Sequence, residues 1–367
     1  MSGALTRFAR RWWSGAYGWG GSFLSAALLP ASGAWRLVTA VRNWRFDRRG
    51  GERVAGARIV SVGNLAVGGT GKTPFASWVA RTLAESGGRR PAIVLRGYGM
   101  DEVLLHAAWT PEIPVVARVD RVQGAREAAA AGATAIVLDD GFQHRRLGRD
   151  LDVVLLSVED PWPPRVLPLG PYREPASSLA RADAIVLTRR SAPLEEARRR
   201  SSMVESVPGV RPGVVLGCVS IVNEAIVPLT EGVLRERAGR PGHGPELTDV
   251  LAVTAIARPE PFREAVARLT GGSVDLMAFA DHHPFSAGDA RAARRRAGTR
   301  PLVVTEKDAV KLEAFAEELG EAWVLRQRLS WDWGEQEVRT IVIGLEESAE
   351  GPTRVSETPR VSDGERV

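Results

Sequence analysis

Residues 57–78 read ARIVSVGNLAVGGTGKTPFASW: an apolar run of strand type, a cluster of glycines, then Lys72 and Thr73 leading into an apolar helical stretch. A loop that cradles phosphate needs three things. Glycines let backbone N–H groups converge, a lysine supplies a mobile positive charge, and a hydroxyl is available to Mg2+. Gly68, Gly69, Thr70, Gly71, Lys72 and Thr73 supply all three, and Pro74 suits the first turn of a helix whose amino end adds partial positive charge. The strict phosphate-loop spacing fails only at its first glycine, which is Ala66 here. Strand, glycines, lysine, threonine and helix in this order predict bound phosphate on this turn.

Outward from that loop the pattern repeats. PAIVLR, PVVAR, TAIVLDD, DVVLLS and AIVLTR are short, β-branched and wholly apolar, as parallel strands buried on both faces are, and helical stretches separate them. The expected class is α/β, with a P-loop NTPase-like core and a parallel sheet. Charge, serine and proline collect over 191–213 (SAPLEEARRRSSMVESVPGVRPG), which places a boundary there. The expected organisation is a core over 51–213, a smaller α/β domain over 214–346, and a disordered, nearly apolar-free tail over 347–367.

Residues 1–50 form a separate basic and aromatic segment. Ten arginines face only Asp47 and Glu52 across the first 60 residues, and between Arg11 and Arg36 lie 24 uncharged residues rich in tryptophan. That length matches a bilayer's hydrocarbon, but five glycines and Pro30 argue against an unbroken spanning helix. The segment is expected to lie at a membrane interface. With Cys218 as the single cysteine there is no internal disulfide or cysteine-built zinc site, consistent with a reducing, cytoplasmic-facing setting. The basic stretch carries no nucleic-acid recognition motif, so nucleic acid is not an expected partner. No obligate protein partner is expected either.

Phosphate chemistry requires an acid at the end of a neighbouring strand, and TAIVLDDGFQHRRL provides Asp139 and Asp140 there. Taken in order, VGNLAVGGTGKTP, LRGYG, DDGFQHRRLGRD, LPLGPYREP, FADHHPF and TEKDAVKL resemble the tetraacyldisaccharide 4'-kinase family over residues 57 to about 315. The resemblance implies transfer of the γ-phosphate of ATP, with Mg2+, to the 4'-hydroxyl of an acylated glucosamine disaccharide 1-phosphate, giving lipid IVA at the cytoplasmic face of the bacterial inner membrane. It also implies Arg173 as a phosphate contact, Glu174 as a further metal carboxylate beside Thr73, Asp139 and Asp140, and Asp101 as the base, assisted by Asp281 and His282. His283 is the alternative to His282. Where the family has glycine before its aspartate this chain has Met100, and most of the preceding loop is missing. Gln143, His144, Arg96 and Arg121 are further candidates for anion contacts, and TEKDAVKL receives no role beyond the resemblance. The rival reading is a membrane-associated GTPase or ATPase switch, which would need a base-reading motif. A vestigial lipid binder leaves the lysine and carboxylates unexplained, and a dinucleotide site would want a different glycine spacing.

Overall fold

The structure, a computed structural model, describes residues 8–9, 11–13, 18–97, 100–229 and 247–344. In chain order the elements are α1 (Gly18–Arg49), β1 (Arg58–Asn64), α2 (Lys72–Glu85), β2 (Pro91–Leu95), α3 (Asp101–Trp109), β3 (Val115–Ala117), α4 (Arg121–Ala130), β4 (Ala135–Asp139), β5 (Leu151–Ser157), β6 (Ala184–Arg189), α5 (Leu194–Glu205) and β7 (Val215–Pro228). There follow β8 (Asp249–Thr254), α6 (Glu260–Thr270), β9 (Ser273–Ala278), α7 (Ala287–Ala297), β10 (Leu302–Thr305), α8 (Glu306–Leu312), α9 (Ala316–Leu319), β11 (Ala322–Trp333) and α10 (Glu335–Ile343). The tail over 347–367 lies outside the described residues.

All eleven strands join one sheet in the order β3-β2-β4-β1-β5-β6-β7-β11-β10-β8-β9. Every neighbouring pair is parallel except β7 with β11. The sheet is therefore two parallel blocks run in opposite senses, joined by a long antiparallel ribbon. The expected boundary near 213 falls between β6 and β7, inside this sheet. Strands such as β4 are buried at every residue, which explains their unbroken apolar sequence. The second half also returns to the first: Val338 and Val342 of α10 join the core around β1 and α2, and Trp331 of β11 packs 5.1 Å from Trp78 and 6.0 Å from Phe75. The phosphate-loop helix is thus clamped by residues from the chain's far end.

At its amino end the chain departs from the sequence reading. Helix α1 runs unbroken for 32 residues through Pro30, about 48 Å at 1.5 Å per residue. Local propensity is overridden because the carboxyl half is held by the core: the Trp35 indole donates to the Arg173 carbonyl (2.9 Å), and Arg145 donates to the Asn43 carbonyl (3.0 Å) and to Asp47 (2.6 Å). Phe23, Leu29, Leu37 and Val38 stay exposed. Over Ser22–Arg49 the helix is long and apolar enough to cross a bilayer.

In the second half, Asp308 ties three elements together. Wholly buried, it accepts from Thr254 Oγ1 (2.7 Å), the Ala255 N–H (3.1 Å) and Thr305 Oγ1 (2.7 Å), and it pairs with Lys311 at 3.2 Å. Removing one partner of a buried pair strands the other charge, so Asp308→Ala is expected to lose about 3–5 kcal/mol of stability. Denaturant unfolding checks this. A loss below about 1 kcal/mol would show the knot to be dispensable.

Candidate active site

The site forms where the carboxyl ends of the strands open, as expected for parallel α/β sheets. Gly71 caps α2 with φ 82°, a left-handed backbone that favours glycine, and a Cβ there would press on the tip of Ile221. The first intrahelical bond of the loop is Phe75 N–H to the Gly71 carbonyl, which leaves the preceding amides of α2 facing the loop without helical partners. Gly68 and Gly69 precede this turn. Thr70 serves the loop structurally: its hydroxyl accepts from Asn64 Nδ2 (2.8 Å), and its N–H meets the Gly68 carbonyl. Thr73 sits half-buried in the first turn of α2.

Lys72 lies 3.4 Å from Asp140, and Arg173 donates to both Asp140 oxygens at 3.2 and 3.1 Å. Arg173 reaches this point because its N–H bonds to the Leu65 carbonyl and the Val67 N–H bonds to the Pro171 carbonyl, stitching LPLGPYREP to the lead-in of the phosphate loop. Gln143 completes the stitch, donating to the Asn64 carbonyl (2.7 Å) and accepting from Arg173 (3.2 Å). Buried Arg121 donates to the Asp140 carbonyl at 2.7 Å. Burial opposes the Asp140 charge, but Lys72 and Arg173 prevail and hold its carboxyl below the usual range. His144 is pushed down to about 4 by burial and by the charges of Arg121 and Arg149, so it is neutral. Arg96 is exposed just beyond β2 and adds to the positive field around Arg121.

Asp139 ends β4, and its Oδ2 accepts from His106 Nε2 at 3.0 Å while Oδ1 is buried without a hydrogen-bond partner. A buried carboxylate oxygen left open in the residue next to Asp140 suits a cation that arrives with a nucleotide. Among the described residues no three His, Cys, Asp or Glu side chains converge as a ready-made metal site. That fits Mg2+, which is commonly held by one or two carboxylates together with substrate phosphates and water.

Glu174 stands elsewhere than expected. It is wholly buried, and its oxygens accept from Arg42 (2.8 Å) and Asn43 (2.8 Å) of α1 and from Arg181 (3.0 Å). Adjacent residues turn to different partners: Arg173 faces the phosphate loop and Glu174 faces α1. Burial alone would raise Glu174, but Arg181, Asn43 and Arg42 hold it below the usual range. Both of its oxygens are thus taken by protein donors and not left open to a cation.

A second cluster assembles across the two halves. Buried Asp101, the first residue of α3, accepts from His282 Nδ1 at 2.9 Å, and Lys307 and Lys311 lie 3.2 and 3.9 Å from the same oxygen. Burial works against the Asp101 charge, yet the His282 hydrogen bond and the Lys307 ammonium outweigh it and hold the carboxyl far below its ordinary value. His282 is raised in turn, first by that hydrogen bond. His283 faces away, 3.2 Å from Asp289 and stacked on Phe279. Asp281 is exposed and 3.9 Å from His282 Nε2. Among the described residues the only non-glycine positions with left-handed φ are Asp140 (56°) and His282 (61°), one in each cluster. Such backbone costs on the order of 1 kcal/mol and is retained where surrounding contacts enforce it.

Three contributors had no role assigned from the sequence: Lys307, Lys311 and His106. For the lysines a signal existed, because besides Lys72 they are the chain's only lysines, and all three stand in these clusters. Glu102, which the family resemblance matches together with Asp101, is raised by burial and by the Asp139 charge.

These motifs can now be set against known proteins. The family model described as Tetraacyldisaccharide-1-P 4'-kinase matches residues 24–102 and 100–345. The chain belongs to this family. The tetraacyldisaccharide 4'-kinase of Anaeromyxobacter dehalogenans (strain 2CP-1 / ATCC BAA-258) is 38% identical over 332 residues, 82% of this chain and 85% of that one. That of Syntrophobacter fumaroxidans is 35% identical over 357 residues, covering 87% of each. Among solved structures, LpxK from Aquifex aeolicus, described as an "apo" form in complex with ATP, superposes with a TM-score of 0.65 at 25% identity, over 88% of this chain and 99% of that one. The family's parallel-sheet kinase fold is thus the fold described above, and the family match begins within the apolar amino-terminal helix.

Proposed function

We propose that this chain phosphorylates the 4'-hydroxyl of a tetraacylated glucosamine disaccharide 1-phosphate with ATP and Mg2+, yielding lipid IVA. The observation that carries the reading is the Asp101–His282 pair, contributed by opposite halves of the chain and 2.9 Å apart, in a fold that also carries the phosphate loop with Lys72 on Asp140. Lys72, Arg173 and the α2 amides neutralise the γ-phosphate. Thr73, Asp139 and Asp140 would hold Mg2+, which when bound shields the phosphate charges. As the new P–O bond forms at the sugar oxygen, the bond from phosphorus to the β,γ-bridging oxygen breaks and ADP leaves. The hydroxyl proton passes to Asp101. A carboxylate held this low is a weak base, so the proton moves late, once bond formation has made the hydroxyl acidic. His282 orients the acceptor oxygen.

The exposed apolar residues of α1, followed by Arg42, Arg45, Arg48 and Arg49, suit a bilayer with an anionic headgroup layer. An acylated sugar stays in that layer, so we place the protein at the cytoplasmic face of the inner membrane through α1. The rival switch reading gains no base-reading motif from TEKDAVKL, whose Lys307 pairs with Asp101 and whose Asp308 holds the β8–β10 knot. ADP release measured with and without the lipid tests the assignment. A kinase releases ADP only with its acceptor, whereas a switch hydrolyses nucleotide without it.

Lys307 supplies a pH test. Its charge lowers both Asp101 and His282. Removing it in Lys307→Met lets both rise, so the acid limb of kcat/KM, set by protonation of Asp101, moves to higher pH. An unmoved acid limb would separate Lys307 from the base.

A further inference from the structure

His106 occupies the junction between the two clusters. It is completely buried on α3, and both ring nitrogens are engaged: Nε2 with Asp139 Oδ2 at 3.0 Å and Nδ1 with Ser77 Oγ at 2.8 Å. An ionised carboxylate only accepts, so Nε2–H donates to Asp139. With its proton on Nε2, the ring presents Nδ1 to the Ser77 hydroxyl 2.8 Å away. Ser77 lies one turn beyond Thr73 on α2, on the same helical face. His106 likewise lies one turn beyond Glu102, whose carboxyl feels the Asp139 charge, and α3 opens with Asp101. One imidazole therefore links the phosphate-loop helix, the helix of the base and the strand-end acid.

Asp139 Oδ1 has no hydrogen-bond partner although it is buried. With Oδ2 fixed by His106, the open oxygen keeps a single orientation. We propose that His106 is a positioning residue that presents Asp139 Oδ1 to the divalent cation, with Ser77 setting its tautomer. This rests on reading Asp139 as a metal carboxylate. Imidazoles and carboxylates that orient ligands from behind are a common requirement of metal sites, and losing one typically weakens metal affinity or activity about 10–100-fold.

The test uses the full chain in detergent with Mn2+ as the probe and a non-hydrolysable ATP analogue, the free Mn2+ being read by electron paramagnetic resonance. Melting temperature without metal is the control for folding. His106→Leu is expected to weaken Mn2+ about 10–100-fold. His106→Gln, whose amide N–H can stand in for Nε2–H, should recover most of that loss, and Ser77→Ala should fall between. A purely structural histidine would lower the melting temperature and leave Mn2+ affinity of the folded protein unchanged. Wild-type affinity in His106→Leu, while Asp139→Asn has lost binding, overturns the role of His106 and leaves the metal assignment standing. Wild-type affinity in Asp139→Asn overturns the metal assignment itself, and the inference with it. Should His106→Leu not fold, wild-type affinity in both Ser77→Ala and His106→Gln overturns the proposal.

Discussion

Alanine at Lys72 is expected to lower phosphate transfer by about 10³-fold or more, the range seen when a cation serving a transferring phosphoryl group is removed. Lys72 is the first residue of α2, partly exposed, with Asp140 as its ion-pair partner. Neither helix nor core depends on its side chain, so the variant should melt near wild type. The loss should fall on kcat, because charge on the transferring group's surroundings is matched best at the transition state. Arginine should not restore the rate. In a chain that uses arginine for nearly every other cation, a lysine here marks a demand for a compact, single-point charge that a planar fork does not meet. Activity within about tenfold of wild type would mean that Arg173 and the loop amides suffice.

The second large effect is at Asp101. Asn at this position keeps an oxygen for the His282 N–H but cannot take a proton, so kcat should fall by about 10²–10⁴. ATP affinity should stay near wild type, since Lys72, Thr73 and Arg173 are untouched. The carboxylate is also the anion between Lys307 and Lys311, so Asp101→Asn should lower stability as well. Single-turnover rates, read against nucleotide affinity and melting temperature, separate the two consequences. An asparagine variant that still turns over near the wild-type rate would move the base elsewhere, to Glu102 first, because burial and Asp139 already raise its carboxyl.

Much of this is legible in the sequence. Buried strands announce themselves because neither face meets water, so β1 and β4 stood out as apolar runs and the residues directly behind them, from Gly68 to Thr73 and Asp139 with Asp140, were the natural phosphate and metal candidates. The pairing of Asp101 with His282 rests on the family resemblance; in the structure the His282 ring meets Asp101 and the His283 ring meets Asp289.

What was not legible depended on contacts distant in sequence. Nothing local tells Glu174 that Arg42 and Asn43 of α1 will cover it. The same docking overrides the glycines and Pro30 that argued against a continuous α1. His106 lies in an apolar helical run, where periodicity alone reads as core; only the neighbouring Ser77 and Asp139 give the ring polar work. The boundary near 213 followed a real change in composition, yet β7 pairs with β6 on one side and β11 on the other, so the sheet crosses it.

One site is proposed to join a nucleotide's γ-phosphate to a sugar hydroxyl in a membrane lipid. The most direct measurement incubates the detergent-solubilised chain with Mg2+, γ-labelled ATP and tetraacyldisaccharide 1-phosphate, extracts the lipid and locates the label by mass spectrometry and phosphorus NMR. A second phosphomonoester at the 4' position of the disaccharide, absent with Lys72→Ala, is the result expected. Label released only as inorganic phosphate, with the lipid unchanged, would contradict it.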